Sequence, residues 1–106
     1  MTIYERTRNR KLEITYEDGS IYDLSFLSET QLKWELKSAL SDWEFTEFET
    51  SYIFFEISDG VYTVNWAEHD GHSVSLNINF DTFMVSAEDT SSASEKNTYS
   101  GSFEVV

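Results

Sequence analysis

The residue best placed to do chemistry is Glu68. It ends the segment Val61-Tyr62-Thr63-Val64-Asn65-Trp66-Ala67-Glu68, where strand parity puts it on the face of Tyr62, Val64 and Trp66. A carboxylate on an aromatic face loses hydration. Desolvation raises its pKa toward the range useful for proton transfer or for holding a ligand's donor. The competing reading is that Glu68 finishes its strand before His69-Asp70-Gly71 and points to water. Tyr16 shares a face with Ile14, and Tyr62 lies inward on its own strand. Inward phenols offer hydrogen bonds to a ligand, although core tyrosines more often satisfy them within the protein.

Other chemistries find less support. His69 and His72 are the only histidines and flank the Asp70-Gly71 turn. No further His or Cys completes a ligand set at a workable spacing, so no metal is expected. The chain has no cysteine, which excludes disulfides, thiolate metal sites and a thiol nucleophile. It shows neither a Gly-rich phosphate loop nor a Ser nucleophile context, and no cofactor is expected.

The elements that must position these residues read as strands. Proline is absent, and three of the four glycines follow Asp, as Asp18-Gly19, Asp59-Gly60 and Asp70-Gly71. Asp-Gly accepts the positive φ of tight hairpin turns. Around these turns apolar residues recur with period two. Leu12, Ile14 and Tyr16 share one face, as do Tyr22, Leu24 and Phe26. Leu32, Trp34 and Leu36 alternate with Lys33, Glu35 and Lys37, which favours a strand over the helix that residues 29–40 could also form.

Further strands are expected over 51–57, 61–68, 74–80, 83–87 and 99–106, with a turn at Asp81-Thr82. The Ser-rich stretch 89–97 reads as a mobile loop. About eight strands and no confident helix predict an all-β chain. A small closed antiparallel up-and-down barrel is the expected form, with an open two-sheet sandwich as the alternative. No repeat or linker divides residues 1–106, so one barrel domain is expected.

Composition bounds the partners. Aromatics make up 16% of the 106 residues, enough for a substantial core. The formal net charge of −13 repels phosphate backbones and anionic bilayers, so nucleic acid and membrane are not expected partners. No apolar run is long enough for a helical span. The N-terminus lacks an apolar signal core, and the absence of cysteine suits a reducing compartment, so a cytoplasmic protein is expected. A solvated acidic surface explains the charge most simply, with docking to a basic protein as the sharper alternative. The aromatic strand around residues 52–55 makes a homodimer a further expectation.

The stretch Gly60-Val61-Tyr62-Thr63-Val64-Asn65-Trp66-Ala67-Glu68-His69-Asp70-Gly71-His72-Ser73-Val74-Ser75-Leu76-Asn77 resembles the centre of the calycin-like, lipocalin-like barrels of the MoaF-like family. Bacterial phenolic acid decarboxylases share it more distantly. Ile14-Thr15-Tyr16-Glu17-Asp18-Gly19-Ser20-Ile21-Tyr22 is similar to the family's first hairpin. The resemblance implies a barrel with a cavity and turns Glu68 inward. In the decarboxylases an interior glutamate stands where Glu68 is, and one of two catalytic tyrosines matches Tyr16. The other tyrosine position holds Ile14, and the substrate-binding arginine is replaced by Asp42 before Trp43. The resemblance therefore implies the cavity more than the reaction.

The expected function is binding of a small hydrophobic or aromatic molecule, with Tyr16, Trp34, Phe54, Tyr62, Trp66 and Glu68 as its wall. An acidic interior without a facing arginine should prefer neutral or cationic ligands to carboxylates. A cofactor-free lyase, with Glu68 as general acid/base and Tyr16 positioning the substrate, is the catalytic alternative. An acidic protein-interaction module is the third reading.

Overall fold

A computed structural model of the chain describes residues 1–38, 47–68, 71–91 and 93–106. It opens with one short helix, α1 (Ile3–Thr7), followed by β1 (Leu12–Tyr16), β2 (Ile21–Phe26), β3 (Gln31–Ser38) and β4 (Glu47–Ser58). Then come β5 (Val61–Ala67), β6 (Ser73–Asn79), β7 (Met84–Thr90) and β8 (Lys96–Val105). Each strand pairs antiparallel with the next, and β8 returns to β1 to close the barrel. Closure satisfies the two outermost strands against each other. The sequence-based barrel is therefore the observed architecture, and the sandwich is not.

Local chemistry accounts for most of the hairpins. Gly19 and Gly60 take φ of 88° and 81°, the left-handed region that their tight turns require and that glycine enters without steric cost. Residues 31–38 form a strand despite their helix propensity, because the alternation buries Leu32 completely. The inward residues of all eight strands build one core. Leu12, Ile14, Leu24, Leu32, Tyr62, Val64, Leu76, Ile78, Val85 and Phe103 are buried within it.

Three expectations change. The N-terminal helix was not foreseen, although Thr2 and Glu5 form a capping box: the Glu5 amide donates to Thr2 Oγ1, and the Thr2 amide donates to Glu5 Oε1, both at 3.0 Å. The polar segment 89–97 is strand at both ends, since β7 runs through Thr90 and β8 starts at Lys96, which leaves a shorter connection than expected. Its period-two side chains are polar on both faces, which hid it from a hydrophobic pattern. Phe83 belongs to the turn before β7, with φ of 57° and half its surface exposed. Among the described residues, no helix is long and apolar enough to cross a membrane.

The two ends of the barrel differ. The β2–β3, β4–β5 and β6–β7 turns gather at the end that α1 closes. There Thr2 donates to Glu29 at 3.0 Å, and Arg6 reaches Asp59 at 3.3 Å. Ile3 is fully buried as the plug. Arg6 also lies over the rings of Phe80 and Tyr62, 5.2 and 5.7 Å from their centroids. The opposite end carries the β1–β2, β5–β6 and β7–β8 connections.

Candidate functional site

A cavity of about 180 Å³ opens toward that second end. Ile14, Leu24, Val74, Leu76 and Ala87 form its apolar floor, and Tyr16, Tyr22, Trp34, Trp66 and Tyr99 its aromatic wall. Asp18, Ser20, Glu68 and Asp89 supply the polar groups. The apolar members alternate with outward polar residues, so strand pairing alone carries them to the interior. The polar members sit at strand ends, where hairpins leave the barrel.

The aromatic wall is a connected set of edge contacts. Tyr16 meets Tyr22 with ring centroids 5.6 Å apart and planes at 77°, and it meets Tyr99 at 6.2 Å. Tyr22 continues to Trp34 at 5.7 Å and 76°. T-shaped contacts of this kind fix ring orientation beyond simple burial. The Trp66 indole nitrogen is buried and has no hydrogen-bond partner among the described residues.

The electrostatics have one sign. Burial pushes the Tyr16 phenol well above its usual value, and Tyr22, Asp18 and Glu68 push the same way. Tyr22 is raised by burial first and by Asp18 and Glu68 next. Both rings therefore stay protonated at neutral pH and keep a hydrogen to donate. Asp18 is held below the ordinary carboxylate range by the Ser20 hydroxyl and by the Ser20 amide at 2.9 Å. His72 Nδ1 stands 2.8 Å from Asp89 Oδ1. No basic residue is found among the described residues that line the cavity. The described residues also contain no cluster of three His, Cys, Asp or Glu side chains able to hold a metal.

Of the six sequence-selected residues, Tyr16, Trp34, Trp66 and Glu68 share this cavity. Tyr62 and Phe54 are not on its lining. Tyr62 is fully buried toward the closed end, where its hydroxyl donates to the Met1 carbonyl at 2.7 Å and accepts from Arg6 Nε at 3.2 Å. Phe54 is partly buried beside Tyr52, 6.3 Å between ring centroids. Parity put both on the interior face, but it cannot tell which end of a barrel a residue faces. Asp42 and Trp43, the positions compared with the decarboxylase arginine, lie outside the described residues.

Sequence reasoning missed Tyr22, Tyr99, Asp18 and Asp89. Tyr22 was legible, since it shares the face of Leu24. Asp18 read only as a turn residue, and Asp89 and Tyr99 were obscured by the polar stretch around them.

Comparison with known proteins agrees with the geometry. No curated protein matches the chain significantly. A crystal structure from Burkholderia vietnamiensis, named as a candidate beta-lactamase, superposes with a TM-score of 0.80 at 14% identity, covering 92% of each chain. At that identity the likeness concerns the fold alone. The sequence profile of the MoaF-like family matches residues 8–104, which covers β1 to β7 and all but the last residue of β8, and the chain belongs to the MoaF-like family.

Proposed function

We propose that the protein binds a small hydrophobic or aromatic molecule, neutral or cationic, in the barrel cavity. The observation that carries this reading is the aromatic, acid-edged space of about 180 Å³ with no basic residue among its described lining. A cavity of roughly 150 Å³ accepts benzene, so the volume suits one substituted ring. The walls supply apolar area, and the Tyr16 and Tyr22 hydroxyls supply donors. The buried Trp66 N–H adds support, because an unsatisfied buried donor costs on the order of 1–3 kcal/mol that a ligand acceptor would relieve. The carboxylates favour a positive or neutral group over an anion.

Titration of Trp fluorescence with benzylamine, benzyl alcohol and benzoate tests this directly. The amine and the alcohol are expected to bind more tightly than the acid. Preferential binding of benzoate would overturn the reading, as would failure of all three alongside a wider set of one-ring amines and alcohols.

A second reading, a cofactor-free lyase, has one observation in its favour: Tyr16 and Glu68 line the same cavity. A positioned phenol and a carboxylate are the parts general acid–base catalysis needs. Carbon dioxide release from hydroxycinnamic acids, abolished by Glu68→Gln, is the result this reading requires.

A further inference from the structure

The outer face of β4 carries three exposed apolar side chains in a row. Ile53, Phe55 and Ile57 point away from the barrel and are 61%, 56% and 64% exposed. These three large apolar side chains form one uncharged stripe on a chain of net charge −13. The same stretch has an open backbone edge. Pairing of β3 with β4 stops at Gln31 opposite Ser51, whereas pairing with β5 continues from Tyr52 to Ser58. The Tyr52 amide donates to the Thr30 carbonyl at 3.0 Å, so it points to the β3 side. By the alternation of a ladder, the amides and carbonyls of Phe54 and Glu56 point the same way. Among the described residues, no strand pairs with them there.

We propose that this free edge of β4 docks a second copy of the chain, antiparallel, about a two-fold axis at Phe55. A two-fold interface requires a patch complementary to itself, and this segment meets the condition residue by residue. With Phe55 opposite its counterpart, Ile53 faces Ile57 on both sides of the axis. Phe54 then falls opposite Glu56, and each such pair exchanges two backbone hydrogen bonds, four in all. The apolar residues meet as cross-strand neighbours on one face. Glu56 faces Phe54 and not another Glu56, so no like charges are opposed at the seam. On so acidic a chain, the uncharged stripe of Ile53, Phe55 and Ile57 is where two copies approach with least repulsion, and each Glu56 carboxylate at the edge lies 3.9 Å from the Met1 amine of its own chain. The stripe and edge make an interface smaller than the roughly 800 Å² per partner of tight complexes, so a micromolar dimer is expected.

Sedimentation velocity on the full chain, from about 1 to 500 µM, reads the equilibrium. Dimer should form in the upper part of this range and strengthen with added salt, which screens the net charge. Phe55→Lys places two cations together at the axis and should weaken dimerisation at least tenfold, with an unchanged circular dichroism spectrum. Because the chain has no cysteine, Phe55→Cys gives an independent reading of register. Directly opposed non-hydrogen-bonded residues have Cα atoms about 4.5 Å apart, within disulfide reach. Oxidised Phe55→Cys should therefore cross-link to a dimer far faster than the exposed control Ser102→Cys. A wild-type monomer throughout the range, equal cross-linking of the two variants, or open-ended association beyond the dimer would each overturn the proposal.

Discussion

Gly101 stands opposite Tyr16 in the ladder between β1 and β8, and a Cβ placed on it would lie 2.3 Å from the Thr15 carbonyl oxygen. The Tyr16 Cα would be 3.0 Å away. Gly101 is absent from the left-handed glycines, so close approach of two backbones, not a special φ, is what requires glycine here. The seam that closes the barrel is also the one that sets Tyr16 in the cavity wall.

Gly101→Ala must push β8 off β1. Overpacking of this kind costs about 1–3 kcal/mol, more where backbone is the obstacle. Urea unfolding should show a loss at or above that range. Ser102→Ala, at the exposed neighbour, should stay within about 0.5 kcal/mol of wild type. The Gly101 variant should also bind cavity ligands more weakly, because the Tyr16 backbone is what it displaces.

Tyr16→Phe removes the cavity phenol while keeping its edge contacts with Tyr22 and Tyr99. One hydrogen bond to a ligand acceptor is worth about 1 kcal/mol. Affinity for benzyl alcohol should therefore fall about fivefold, with little change in melting temperature. Unchanged affinity in isothermal titration would remove Tyr16 from the ligand contacts.

Glu68→Gln separates charge from shape. Binding of benzylamine should weaken by roughly tenfold, since charge-assisted hydrogen bonds are about twice as strong as neutral ones. Benzyl alcohol should be nearly unaffected. An equal loss for both ligands would mean that the substitution altered the cavity and not its field.

Alkaline pH should unfold the protein. Burial raises the Tyr52 phenol to about 12, and it raises Tyr16, Tyr22 and Tyr62 above their ordinary value as well. The folded state thus holds protons that the unfolded chain releases near pH 10. The stabilisation is fully present below that pH and declines as pH rises from about 10 through the folded values. Urea midpoints should fall over this window, and phenolate absorbance from these residues should rise together with loss of structure. Full phenolate titration of a still-folded protein would contradict the burial of these rings.

Thr2→Ala breaks the capping box of α1, a change that typically costs about 1 kcal/mol. Because α1 plugs the closed end with Ile3, the loss should register in global stability. Tyr62→Phe should act in the same direction, since its hydroxyl joins Met1 to Arg6. Neither change should alter ligand affinity, as both lie away from the cavity.

Much of the barrel was legible because its signals are local. Asp-Gly pairs mark turns, and Leu12, Ile14, Leu24 and Leu76 mark inward faces at period two. The N-terminal helix was legible too, in Thr2 and Glu5, but a five-residue helix has too few apolar positions to show a period. The polar strand ends of β7 and β8 offered no such pattern. Glu88, Asp89, Asn97 and Thr98 carry no information about which face is buried, and only pairing with neighbours makes them strand.

Sequence by itself determined which strand side chains face inward, Tyr16 and Tyr62 among them, because a strand's side-chain alternation follows from its backbone geometry. For Glu68, just past the end of β5, it left two orientations open. Tertiary structure alone decided which inward residues share a space. Barrel closure, strand stagger and the α1 plug put Glu68 with Tyr16, Trp34 and Trp66 around one cavity, and sent Tyr62 to the sealed end. Those distances run between strands far apart in the chain, and no local pattern encodes them.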